Sequence, residues 1–216
     1  MTPAGAPPLR VALLAFDEVE ALDLAGPYEV FTTAVRMAER LAPGAAAPFE
    51  VYCVARTRQA VRARAGLQVL PDADFADAAP PDVLVVPGGV VDAARRCSDT
   101  LAWIARAAAR ARITAAVCTG AFLLADAGVL RQGGATTHWE DIADLRAQHP
   151  GLQVREGVRW VAQPGGRLYT SAGISAGIDL SLHLVERLAS RALALRTARQ
   201  MDYAWSEPPQ QPPPAA

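Results

Sequence analysis

Two short runs decide what this chain can fold into. Val83-Leu84-Val85-Val86 and Ile113-Thr114-Ala115-Ala116-Val117 are apolar almost without interruption, and each stops at glycine: Pro87-Gly88-Gly89 after the first, Cys118-Thr119-Gly120 after the second. A strand with one wet face alternates apolar and polar residues, whereas a strand of a parallel sheet is buried on both faces and reads as an unbroken run. Parallel strands in turn need crossover connections, usually helical.

The rest of the chain supplies them. Leu9 to Phe16 reads as a first strand, followed by a helix from about Asp23 to Leu41 and a second strand from Phe49 to Ala55. Val61 to Leu70 holds a short hairpin or edge strand with Gly66 at the turn. The run from Asp82 leads through Gly88-Gly89 into a helix from about Asp92 to Ala111, and the cysteine strand leads into a helix from Gly120, capped by Gly128. A helix to about Gln148 follows His138-Trp139. Strands near Leu152–Val154, Val158–Ala162 and Arg167–Ala172 come next, then helices Ser175–Ala189 and Arg191–Trp205. This alternation specifies an α/β fold, a doubly wound parallel sheet with helices on both faces. At 216 residues one domain is expected, spanning residues 9–205. Residues 1–8 and the proline- and glutamine-rich 206–216 are expected to be flexible termini.

In such sheets ligands collect at the carboxyl ends of the strands. Phe16, Gly88-Gly89, Cys118, Thr136–His138 and Ser171–Gly173 all fall there, gathering a thiol, a backbone donor pair, a histidine and hydroxyls in one crevice. Cys118 occupies the strand-to-helix turn, the geometry of a nucleophile elbow. Unpaired N–H groups and the positive end of the helix dipole favour its thiolate. A small buried core cysteine is the bland alternative, and the convergence of groups argues against it. Cys118 is accordingly expected to be the most reactive of the three thiols, with Cys53 and Cys97 slow.

Its neighbours each admit two readings. Gly88-Gly89 can free N–H groups for an oxyanion hole or merely allow a tight turn. Asp23, between apolar residues at a helix start, can cap the helix or serve as a general acid whose pKa burial raises. Glu18 and Glu20 are rivals for the second role. His138 is either a base or substrate ligand, or a hydrogen-bonded, partly buried histidine. Gly173-Ile174-Ser175-Ala176-Gly177 has the letters of a serine elbow. However, Asp179 and His183 lie on that serine's own helix and cannot form a triad around it, so Ser175 reads as a helix cap.

Composition narrows the chemistry. The net charge of −1 gives no reason to expect nucleic acid or an anionic membrane as partner. The chain has no lysine, which excludes Schiff-base chemistry, a Walker-type phosphate lysine and a Cys-Glu-Lys triad. Three widely spaced cysteines form neither a disulfide framework nor a zinc pattern, and they fit a reducing cytoplasm. No metal and no organic cofactor is called for. The first residues are not a signal peptide, and no apolar run approaches the roughly 20 residues that span a bilayer.

Leu22-Asp23-Leu24-Ala25-Gly26-Pro27, Val86-Pro87-Gly88-Gly89, Val117-Cys118-Thr119-Gly120, Ala135-Thr136-Thr137-His138-Trp139 and Gly173-Ile174-Ser175-Ala176-Gly177-Ile178-Asp179 resemble, in order, motifs of the PfpI-type branch of the class I glutamine amidotransferase-like superfamily. The resemblance extends from about Val11 to Trp205. It is nearest to isonitrile (isocyanide) hydratases and to the amidase-like sensor domain of AraC-type transcription regulators. It implies a flavodoxin-like three-layer α/β/α sandwich and a homodimer, with a small-molecule substrate or ligand in a crevice that the neighbouring subunit can help close. By resemblance Cys118 matches the hydratase nucleophile, Asp23 its carboxylate partner and Thr119 the threonine that follows. Gly88-Gly89 occupies the place of the oxyanion donors, and His138 and Ser171 are candidate substrate contacts.

Some positions depart from the pattern. Peptidase members carry histidine after the cysteine, where this chain has Thr119. Hydratases resemble Gly-Gly-Gly-Ile-Thr where this chain has Ser171-Ala172-Gly173-Ile174-Ser175, and Thr170-Ser171-Ala172-Gly173 looks more like the regulators. The regulators continue into a helix-turn-helix, for which the proline-rich tail leaves no room. The expectation is therefore a cysteine-dependent hydratase turning an isonitrile into an N-substituted formamide. A ligand-sensing domain without its DNA-binding part is the alternative, and glyoxalase or carbonyl-repair chemistry is a third option.

Overall fold

A computed structural model describes residues 7–206. The first half runs β1 (Leu9–Leu14), α1 (Ala21–Leu41), β2 (Phe49–Ala55), β3 (Val61–Arg62), β4 (Gln68–Val69), β5 (Ala73–Asp74), β6 (Val83–Val86), α2 (Asp92–Arg96) and α3 (Ser98–Arg110). The second half runs β7 (Ile113–Val117), α4 (Gly120–Asp126), β8 (Gly133–Ala135), α5 (Ile142–Gln148), β9 (Leu152–Val154), β10 (Trp160–Ala162), β11 (Leu168–Ser171), α6 (Ala176–Leu188) and α7 (Arg191–Gln200).

The two apolar runs become neighbouring parallel strands, β6 and β7, with every residue buried. They lie within a seven-stranded sheet of order β10-β11-β7-β6-β1-β2-β5, parallel throughout except where β10 meets β11. Without its edge strands the order is β2-β1-β6-β7-β11, which is the flavodoxin-like doubly wound arrangement. Its topological switch point lies between β1 and β6, and Val19 bridges to Gly89 at the carboxyl end of that pair.

Helices α1, α6 and α7 pack together on one face, and α2, α3 and α4 on the other. The α4 helix approaches the sheet so closely that a Cβ on Gly120 would lie 2.2 Å from the Val86 carbonyl oxygen. Phe31 of α1 meets Phe49 of β2 edge to face at 5.1 Å. Each such fully buried side chain contributes about 1.5–3 kcal/mol. Among the described residues no helix is long and apolar enough to cross a membrane.

The expected hairpin at 61–70 forms as β3 and β4, with Gly66 in the turn at φ +98. Other expectations change. The helix drawn from Asp92 to Ala111 is two helices, broken at Cys97, whose extended backbone starts α3. The last helix stops at Gln200, and β8, paired with β9, was not anticipated. Ser206, assigned to a flexible tail, is held, its N–H donating to Asp179 at 2.8 Å. The expectations for 1–6 and 207–216 lie outside the described residues.

Candidate active site

The elbow is built as the sequence suggests. Cys118 follows β7 with φ +57, a left-handed conformation that costs a residue with a Cβ about 1–3 kcal/mol and persists only where its surroundings impose it. Two bonds impose it here. The Cys118 N–H donates to the Ser171 carbonyl at 3.1 Å, and the Thr137 hydroxyl donates to the Cys118 carbonyl at 2.9 Å. The N–H of Thr119 acts on the thiol from the start of α4.

Asp23 faces this thiol. It lies in the first turn of α1 and not at the cap, and it is fully buried. Oδ2 accepts the Gly88 N–H at 3.1 Å, while buried Oδ1 has no hydrogen-bond partner at standard geometry. The Cys118 thiol and the Ile174 backbone are near enough to act on the carboxyl's charge. Burial, with the nearby charge of Glu20, raises Asp23 from 3.8 to about 7 against the pull of those neighbours. Burial likewise pushes the Cys118 thiol up, and an ionised Asp23 pushes it further. The N-terminus of α4 therefore does not by itself make Cys118 a thiolate, as the sequence had suggested. Two acids that disfavour each other's charge keep at least one proton between them near neutrality, and protonating Asp23 removes the main charge opposing a thiolate. Glu20 instead lies 3.7 Å from Arg64, and Glu18 is exposed, so neither competes for the thiol.

The glycine doublet has another use than the one expected. Gly88 N–H is spent on Asp23, and Gly89 N–H donates to Thr119 Oγ1 at 2.9 Å while that hydroxyl donates back to the Gly89 carbonyl at 2.9 Å. Neither N–H is open to a substrate in this state. The doublet fixes the carboxyl and the threonine, and the donor left facing sulfur is the Thr119 N–H. No side chain fits at Gly88, where a Cβ would meet Thr119 Oγ1 at 2.5 Å and Asp23 Oδ2 at 2.9 Å. Ser171 is also not placed for substrate contact. It is fully buried, its hydroxyl turned to the Ala172 carbonyl at 3.1 Å, and it serves through its own carbonyl as the anchor of Cys118.

His138 lies at the mouth of an adjoining cleft of about 390 Å³, lined also by Thr137, Trp139, Arg159 and Ile174. Its Nδ1 lies 3.4 Å from Asp141 and 3.6 Å from Glu140. The opposite ring edge rests on Gly173, where a Cβ would fall 2.2 Å from Cδ2. Cys118 does not line this cleft, but Thr137 and Ile174 belong to both places.

The serine-elbow letters carry no triad, as expected. Ser175 stands at the start of α6 without a capping bond, and its hydroxyl accepts from Arg159 at 3.3 Å. Buried Asp179 is ion-paired to Arg159, and His183 stacks on Trp160 at 4.3 Å. Arg159 is the residue that sequence reasoning missed, since a pairing across 20 positions on separate elements leaves no local signal.

All three cysteines are free. Cys97 lies at the helix break, half-buried, its thiol lowered mainly by a hydrogen bond with Thr100. Burial raises Cys53 to about 12. Burial and Asp23 thus push the Cys118 thiol up while the Thr100 bond pulls Cys97 down, the reverse of the order that the helix dipole suggests from sequence. Among the described residues no group of three or more His, Cys, Asp or Glu is placed to hold a metal ion.

Residues 9–187 match the family model described as the DJ-1/PfpI family. The isonitrile hydratase of Pseudomonas putida is 34% identical over 93% of this chain and 81% of its own length. The HTH-type transcriptional regulator GbdR of Pseudomonas aeruginosa is 29% identical over 91% of this chain, which spans only 51% of that regulator. A THiJ/PfpI family protein from Pseudomonas syringae superimposes with a TM-score of 0.79 at 28% identity, covering 97% of this chain and 81% of that one.

Proposed function

The chain belongs to the DJ-1/PfpI family, and on that premise we propose that it is a cysteine-dependent hydratase that converts an isonitrile into an N-substituted formamide. The observation that carries this reading is the buried Cys118–Asp23 pair, with Asp23 raised to about 7. An isonitrile carbon must receive a nucleophile and a proton, and the pair offers both from one place. Likeness to the Pseudomonas putida hydratase over nearly the whole chain supports the choice of substrate class.

The reaction balances on these two side chains. The Asp23 proton passes to the terminal carbon as the Cys118 sulfur bonds to it, giving a thioimidate, R–N=CH–S–Cys118. Asp23, now a carboxylate, takes a proton from water as the hydroxide adds to that carbon, and hands the proton to nitrogen. The adduct then expels sulfur as the C=O forms, and the hydroxyl proton returns to the pair. Product is R–NH–CHO, and the pair again holds one proton. The Thr119 N–H stabilises charge on sulfur, and Gly88 holds the carboxyl in line. Substrate binding in a homodimer, with the second copy completing the crevice, belongs to the same proposal.

The second reading is a ligand-sensing domain, favoured by the regulator that matches 91% of this chain. Wild type, Cys118→Ala and Asp23→Asn are incubated with an aryl isonitrile and, separately, with methylglyoxal. Formamide production abolished by both substitutions supports the hydratase. Cysteine-dependent loss of methylglyoxal alone turns the assignment to carbonyl repair, and turnover of neither puts the sensor first.

A further inference from the structure

The cleft beside Cys118 carries chemistry that the hydration step does not use. Trp139 is 72% exposed at its rim, an unusual position for the largest apolar side chain. Ile142, Val158, Ala172 and Ile174 give the walls an apolar surface. Two groups break it. Arg159 contributes a guanidinium whose Nε and Nη2 bond Asp179, while Nη1 has no hydrogen-bond partner among the described residues. His138 turns Nδ1 toward Asp141 and Glu140, which leaves its Nε2 edge on the Gly173 side of the cleft. The volume of about 390 Å³ is that of a small-molecule site.

We propose that this cleft is the subsite for the nitrogen substituent of the substrate, and that it selects a flat aromatic group bearing a carboxylate. The inference rests on the hydratase reading and adds the substrate class. The arene lies against the Trp139 indole, and its carboxylate meets Arg159 Nη1. Arg159 is held ready for this, because Asp179 and Ser175 fix its other nitrogens and Asp179 is fully buried. The reacting carbon then points past Ile174, whose side chain borders the cleft and whose backbone faces Asp23.

The test pairs kinetics with equilibrium binding. Phenyl isonitrile and 4-isocyanobenzoate are compared as substrates of wild type, Trp139→Ala and Arg159→Lys, the last keeping a cation for Asp179 while removing the free Nη1. Wild type is expected to favour the carboxylate through KM by about tenfold, the worth of one charge-assisted hydrogen bond. Trp139→Ala raises KM for both substrates by about three- to tenfold, more than it lowers kcat. Arg159→Lys levels the two substrates. In parallel, the product analogue 4-formamidobenzoate is titrated while indole fluorescence is read. Saturable quenching in wild type that Trp139→Phe removes supports the subsite. Quenching of that kind without turnover of either isonitrile keeps the subsite and overturns the hydratase. Turnover with no preference for the carboxylate and no effect of Trp139→Ala keeps the hydratase and overturns the subsite. Neither turnover nor quenching overturns both.

Discussion

Replacing Asp23 by asparagine removes a carboxyl that the fold strips of water and leaves its shape and its acceptor for Gly88 in place. In the unfolded chain this carboxyl titrates near 3.8, and in the folded protein near 7. Between those values the folded state binds more protons than the unfolded one, so unfolding free energy falls as pH rises through the window. The stability is fully present below 3.8 and is lost as pH passes 7. A rise from 3.8 to about 7, at about 1.4 kcal/mol per pH unit, amounts to about 4 kcal/mol. Of this about 2–3 kcal/mol falls between about pH 5 and about pH 8, because the unfolded carboxyl is already ionised at the lower limit. For a chain of this size that is a Tm difference of roughly 5–10 °C. Thermal denaturation of wild type and Asp23→Asn at the two pH values reads it directly. Groups that do not touch Asp23, such as the half-buried His183, titrate equally in both proteins and cancel in the difference. The advantage of the variant should widen on going from acid to alkali. An advantage that stays constant, or narrows, refutes the claim that a desolvated Asp23 holds the proton.

Three further outcomes follow from the geometry. Brief substoichiometric iodoacetamide near neutral pH should label Cys97 before Cys118 and Cys53, and peptide mapping that finds Cys118 first would show its thiolate forming without help from substrate. Gly120→Ala pushes a methyl to 2.2 Å from the Val86 carbonyl and should cost about 3 kcal/mol in denaturant unfolding, with a midpoint equal to wild type counting against the packing described. Leu22, Val90 and Ile174 are each about two-fifths exposed close to the site, and sedimentation at micromolar concentration should find a dimer, a monomer excluding a shared crevice.

The central layer was legible because β6 and β7 are buried on both faces, and burial of that kind writes itself as consecutive apolar residues. The strand ends were legible for the same reason, so Cys118, Gly88 and Ser171 could be gathered before any coordinate was known. Side-chain direction was not. Whether the N–H of Gly89 faces a substrate or the Thr119 hydroxyl depends on a hydrogen bond across 30 positions. The break at Cys97 has a signal in the sequence, since Ser98-Asp99-Thr100 is a run of residues that favour helix starts. The β8 strand had none. Gly133 and Gly134 have no strand propensity, and pairing with β9, together with Gln163 Nε2 donating to the carbonyls of Gln132 and Gly134, makes them one. Asp23 lies in the first turn and not at the cap, and a cap and a first-turn carboxylate look alike in sequence.

The mooring of the chain after α7 has a consequence for anyone engineering this protein. Tyr203 donates to the Ser175 carbonyl at 3.3 Å, Trp205 donates to the Asp179 carbonyl at 3.2 Å, and the Ser206 backbone holds the Asp179 carboxylate that in turn holds Arg159. A reporter or affinity tag joined directly after Ser206, in place of residues 207–216, is therefore tied to this anchorage. Its load is carried on the same buried carboxylate that sets one wall of the cleft, so a short rigid junction there works as a lever on the binding site. A long flexible junction leaves that wall undisturbed.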